Sequence, residues 1–148
     1  MLEEIIKKNE SRIEKDIKQI EDIQFIDFID IFPESEDHRK KLDEEVSKIS
    51  RLIDSTKKGN FYLLNNPIET KWGKLKFLKI RFFDESRLKY EAAPDFAVKD
   101  WDKLKQQVQI DKRFTFISRP NWNAVEFKTE NSLIYFLNPL VTTVYGIK

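Results

Sequence analysis

Any chemistry in this chain has to come from charge and aromatic rings, because 148 residues include no cysteine, one histidine and three glycines. Without cysteine there is no thiol nucleophile, disulfide, iron–sulfur cluster or Cys-ligated zinc. His38 sits in the polar first turn of a predicted helix, with no second histidine to complete an HxxxH or HxH ligand pair, and reads as a surface residue. Gly59, Gly73 and Gly146 are too few and too scattered for a phosphate-cradling loop, and no Gly-x-Ser-x-Gly elbow is present. What stands out is a basic and aromatic set: Lys71, Lys74, Lys76, Lys79, Arg81 and Arg119, with Trp72 and Trp122 near strand ends or turns. Such a set can pair with phosphates and stack on bases. Residues 71–89 hold seven basic side chains against two acidic ones. The strand 71–81 is the predicted contact surface, although a sequence pI of 7.8 is low for a nucleic-acid module and no RNP, KH or zinc-finger spelling occurs.

A second pattern is Pro94-Asp95 followed by Glu126-Phe127-Lys128, with Val125 and Phe127 flanking the acid as apolar neighbours. This spelling resembles the PD...(D/E)xK motif of the metal-dependent nuclease superfamily. The resemblance implies that Asp95 and Glu126 would hold a divalent metal and Lys128 would orient or activate the attacking water. The same triplet also occurs at Asp16-Ile17-Lys18 and Glu69-Thr70-Lys71, and a hairpin turn at Thr129-Glu130-Asn131 stands where that superfamily has a helix. On an ordinary strand Glu126 and Lys128 would share the solvent face. The catalytic assignment is therefore the alternative, and no metal or cofactor is expected.

The elements that must position these residues are read from periodicity. Ile6, Ile13, Ile17 and Ile20 fall at helical spacing within residues 1 to about 31, and the FIDFID stretch from Phe25 to Asp30 is either the buried end of that helix or its breaking point. Pro33 forces a boundary. Ser35 is a predicted cap for a second helix over 36–57, with Leu42, Val46, Ile49 and Ile53 as its buried stripe and Gly59 as its stop. The rest reads as strands. Phe61–Leu64 is short, Asn65-Asn66-Pro67 is a turn, and residues 71–83 form a long strand whose alternation reverses at Phe77-Leu78, which predicts a β-bulge. Residues 84–94 read as a loop and Asp95–Lys99 as a brief strand. Asp100 caps a short helix that buries Trp101, Leu104 and Val108, and a meander follows over 113–118, 122–128, 132–137 and 141–145.

The expected class is α+β: an N-terminal antiparallel helical hairpin (residues 1–58) packed on a curved, mostly antiparallel sheet of five to seven strands (residues 59–148), in one domain with one short extra helix and no internal repeat. Residues 1–58 carry a net charge of −4 and residues 59–148 one of +5. The N-terminus has acidic residues where a signal peptide needs a basic leader, and no apolar run approaches a membrane span, so the reading is soluble and cytoplasmic. Apolar residues on both parities of the tail from Leu133 to Tyr145 suggest a cover on two sides, by the helices or by another subunit. The function expected from sequence is a non-catalytic binding or interaction module. Its partners would be a protein or a second copy of itself, with nucleic acid as a further candidate and no membrane.

Overall fold

A computed structural model describes residues 1–145; Gly146 to Lys148 lie outside the described residues. In chain order the elements are α1 (Leu2–Ile17), β1 (Ile23–Ile31), α2 (Glu36–Ser47), β2 (Ser50–Thr56), β3 (Gly59–Thr70), β4 (Gly73–Arg81), a 3-10 turn (Glu85–Arg87), β5 (Ala92–Val98), α3 (Trp101–Ile110), β6 (Phe114–Ser118), β7 (Asn123–Lys128), β8 (Leu133–Asn138) and α4 (Val141–Val144). The class is α+β, with one eight-stranded sheet in the order β2-β3-β4-β1-β5-β8-β7-β6. Five of the seven strand pairings are antiparallel; β1 with β4 and β5 with β8 are parallel. The sheet exceeds the expected five to seven strands. It also contains a repeat invisible in the sequence. β1-α2-β2-β3-β4 and β5-α3-β6-β7-β8 are two βαβββ units, joined where β1 and β5 pair antiparallel at the centre.

The expected helical hairpin is replaced by helix, strand, helix. FIDFID is β1, and it is apolar nearly throughout because a central strand is covered on both faces. The second helix begins as expected, with Ser35 Oγ accepting the His38 amide at 3.0 Å, and it buries Leu42 and Val46 completely. It ends ten residues before the expected 57. The Val46 carbonyl accepts the Ile49 amide at 3.0 Å and the Ser50 hydroxyl at 2.6 Å, and the chain then extends into β2. The stripe is broken there: Ile49 is 43% exposed, and Ile53 packs with the opposite face of the sheet. Gly59 does not stop a helix but opens β3 after the Lys57-Lys58 turn. A Cβ at Gly59 would lie 2.2 Å from the Ile80 carbonyl oxygen, so no larger residue fits without moving backbone. Asn65-Asn66-Pro67 is likewise not a turn but an irregularity inside β3, where the register against β4 shifts between Leu63 and Ile68. The turn is Lys71-Trp72.

Two cores result. Helices α1, α2 and α3 cover one face, where Ile13, Ile29, Leu42, Leu78, Leu104 and Phe136 belong to the larger apolar cluster. On the other face Phe28, Phe61, Phe77 and Val141 form a smaller one. Leu75 belongs to the helix-side core with Leu78 and Ile80, whereas Phe77 joins the opposite cluster, so side-chain parity in β4 reverses between Leu75 and Phe77. The break expected at Phe77-Leu78 is therefore slightly earlier; those two residues alternate normally and are both buried because both faces are covered. Capping of α3 by Asp100 and the β6-β7-β8 meander are as expected. Val141–Tyr145 is not a strand: its first residues form α4, held by the Asp27 carboxylate, which accepts the Val141 amide at 2.7 Å and the Thr142 amide at 3.1 Å. No helix among the described residues is long and apolar enough to cross a membrane.

These placements separate two positions that share a helical spacing. Leu42→Ala should cost about 2–5 kcal/mol in urea unfolding. Ile49→Ala should cost less than about 1 kcal/mol, and equal losses at both would restore the continuous stripe.

Candidate ligand cleft

The sheet face opposite α1, α2 and α3 carries a cavity of about 520 Å³, within the range of small-molecule sites. Strand register places its floor. Phe61 on β3 is level with Lys79 on β4, Lys79 with Asp30 on β1, Phe28 on β1 with Asp95 on β5, Asp95 with Tyr135 on β8, and Tyr135 with Glu126 on β7. A polar band thus crosses the middle of the sheet with aromatic rings set into it. Arg81 lies two residues further along β4 from Lys79. Lys58 from the β2-β3 turn, Arg87 from the 3-10 turn and Arg119 after β6 join it around the cavity, with Trp122 at the rim. On one side Tyr145 packs on Phe61 and Phe77 at centroid distances of 5.6 and 6.2 Å. Its hydroxyl donates to Asp54 at 2.9 Å, and burial raises its pKa to about 12. Asp27, through α4, holds this wall in place.

Electrostatically the cleft is unfinished. Six basic and four acidic side chains line it, and among the described residues none of the six forms an ion pair. Arg81 Nε is buried without a hydrogen-bond partner. The cations rest on ring faces instead: Lys79 is 5.3 Å from the Phe61 centroid, Arg81 is 5.4 Å from Phe32, and Arg119 is 5.9 Å from Trp122. Burial pulls the Lys58 ammonium below its ordinary value, and the positive charges of Arg81, Arg119 and Arg87 pull it the same way. Two of the four acids are equally unmatched. Asp95 is 0% exposed and neither of its oxygens has a partner; Asp30 is 6% exposed and its Oδ1 has none. Burial pushes the Asp95 carboxyl well above the carboxylate range, reinforced by like charge from Asp30 and Asp27. Burial also raises Asp30, against the pull of Arg81 and Lys79. Tyr135, by contrast, is satisfied: its hydroxyl donates to Glu126 Oε2 at 2.8 Å and accepts from Arg87 Nη1 at 3.3 Å.

The basic set read from the sequence is divided by the fold. Lys79, Arg81, Arg119 and Trp122 reach the cleft. Lys71 and Lys74 do not: they are exposed near the β3-β4 turn, paired with Glu14 at 3.2 Å and Glu69 at 4.0 Å. Trp72 packs edge-on against Phe96 in the helix-side core, 5.3 Å between centroids, and Lys76 is half-buried outside the cleft. Asp95 and Glu126 both line the cavity, so Glu126 does not simply face solvent, but they come from β5 and β7 with β8 between them. Lys128 is exposed at the far end of β7. No three His, Cys, Asp or Glu side chains among the described residues are grouped to hold a metal ion. His38 accepts the Glu34 amide at Nδ1, 2.9 Å, a local contact far from the cleft. Sequence reasoning missed Asp30, Lys58, Arg87 and Tyr135. Two acids inside the otherwise apolar 25–31 stretch of β1 were the available signal.

Comparison with known proteins bears on the fold. No family model matches the chain, and no curated protein matches it in sequence. A solved structural-genomics structure, Protein EC4020, superposes with a TM-score of 0.73 over 98% of this chain and 91% of its own, at 11% identity. The fold is shared. A glyoxalase/bleomycin resistance protein/dioxygenase superfamily member from Vibrio splendidus 12B01 gives a TM-score of 0.48, covering 74% of this chain and 95% of that one, also at 11% identity.

A carboxyl with a raised value in the fold binds its proton more tightly there, so stability falls as pH climbs from the ordinary aspartate value of 3.8 towards the raised one. Asp95→Asn removes that loss. The variant should be more stable than the wild type at neutral pH, with the gain shrinking towards about pH 4, in denaturant titrations at both pH values.

Proposed function

We propose that the protein is a non-catalytic binding module that takes a small anionic organic molecule into this cleft. The observation that carries the reading is the set of cleft cations without carboxylate partners, headed by the buried, unpartnered Arg81 Nε. Apart from the half-buried Lys76, cations elsewhere among the described residues either have ion-pair partners, such as Lys8, Arg39, Lys89 and Arg113, or are exposed to solvent, such as Lys7 and Lys40. Leaving a buried donor unmade costs about 1–3 kcal/mol, a cost that a carboxylate or phosphate would remove. The aromatic lining supplies apolar contact for the rest of such a molecule. Only the Lys79–Arg81 end of the basic strand takes part, so a small ligand suits the charges better than a polyanion tracking the whole strand.

The reading retains self-association and a cytoplasmic setting. The sheet has open edges at β2 and β6, where Leu52 and Phe116 are exposed, and a chain without cysteine suits a reducing compartment.

Titration with a panel of small carboxylates and phosphates, followed by calorimetry and by thermal shift, tests the proposal. At least one should bind, with affinity falling as salt rises, and Arg81→Gln should weaken it by about tenfold or more. Lys74→Glu, outside the cleft, should leave it unchanged. Binding that tracks Lys74 and ignores Arg81 would move the site to the outer strand surface.

A further inference from the structure

The carboxylates of the cleft say what the other end of the ligand carries. Asp95 lies in the middle of the floor, wholly buried, with both oxygens unpartnered, and Asp30 Oδ1 on the neighbouring strand is in the same condition. The groups level with them do not supply the missing donors. Phe28 has none, the Tyr135 hydroxyl is given to Glu126, and Lys79 rests on the Phe61 ring. An anion drawn to Arg81 would leave these acceptors unmatched and add like charge beside them.

A metal ion fits poorly, since no three of the acids among the described residues are grouped to hold one and both Lys79 and Arg81 share the floor. A ligand bearing its own N–H donor fits. β5 is two strands from β4, about 10 Å across the sheet, so the two ends of such a molecule would be separated by a middle lying over Phe28 and Phe61.

Resting on the anion-binding reading above, we propose that the ligand is amphoteric. Its acid group is taken by Arg81 and the cations beside it, and a protonated amine or equivalent N–H donor at its other end is taken by Asp95, with Asp30 on the strand between the two ends.

Matched probes separate the two ends: γ-aminobutyrate against butyrate, ε-aminocaproate against caproate, and para-aminomethylbenzoate against para-toluate, titrated by calorimetry at neutral pH. In at least one pair the amino acid should bind about tenfold tighter than its des-amino partner. Asp95→Asn should abolish that advantage, and Arg81→Gln should weaken both members of the pair. If the plain acid binds as well as or better than the amino acid in every pair, the amphoteric ligand is overturned while the anion site stands. An advantage that survives both Asp95→Asn and Asp30→Asn places the amine elsewhere and overturns it too. If no probe binds, or if binding ignores Arg81→Gln, the anion site itself fails and the proposal with it.

Discussion

The antiparallel pairing of β1 with β5 is the constraint on which the rest of the molecule depends. These two strands, one from each βαβββ unit, are the middle of the eight-stranded sheet, and each is flanked on its other side by a parallel neighbour. From Ile26 on β1 and along β5 up to Ala97 the side chains are buried, packed against the apolar clusters or directed into the cleft. An acid in that position is expensive. Asp30 and Asp95 therefore mark the site more sharply than the lysines do, because a solvated lysine costs the fold almost nothing whereas a buried carboxylate without donors has to be carried by the apolar burial around it.

The sequence disclosed the parts of this structure that are fixed by local chemistry. The Ser35 and Asp100 caps, the β6-β7-β8 hairpins and the buried positions of Leu42, Val46 and Leu104 depend on residues within a few positions of one another. Where the sequence misled, the deciding partner was far away. Ile49 and Ile53 continue a helical spacing, but Asn65 donates to the Ile49 carbonyl and β3 pairs with the chain beyond it, which favours strand over one more helical turn. FIDFID is ambiguous by itself, because a strand buried on both faces and a buried helical segment have similar apolar content. The duplicated topology leaves no trace in residue identity, since backbone pairing and burial tolerate many apolar sequences.

The candidate site was half legible for the same reason. The basic residues of β4 were visible as a charged run, yet the parity reversal between Leu75 and Phe77 and the nearby β3 irregularity decide which of them matter. Lys74 finds Glu69 outside, while Lys79 and Arg81 turn into the cavity. Asp95 was singled out through a motif whose partners do not converge. It occupies the centre of the cleft for a different physical reason: the alternation of β5 faces it away from the helices.

Floor and wall of the cleft are built from the same strand, and this bears on how the site can work. Asp30 and Phe28 lie in the floor, while Asp27, at the register shift between Ile26 and Phe28, holds the start of α4 and so positions Tyr145 over Phe61. A change in β1 would therefore disturb charge and shape together, and the wall cannot move far without giving up the capping contacts of Asp27. Polar groups fixed in this way are already separated and oriented for a ligand of the proposed kind. Little ordering is then needed on binding, and the free energy held in unmatched buried groups becomes available to the molecule that completes them.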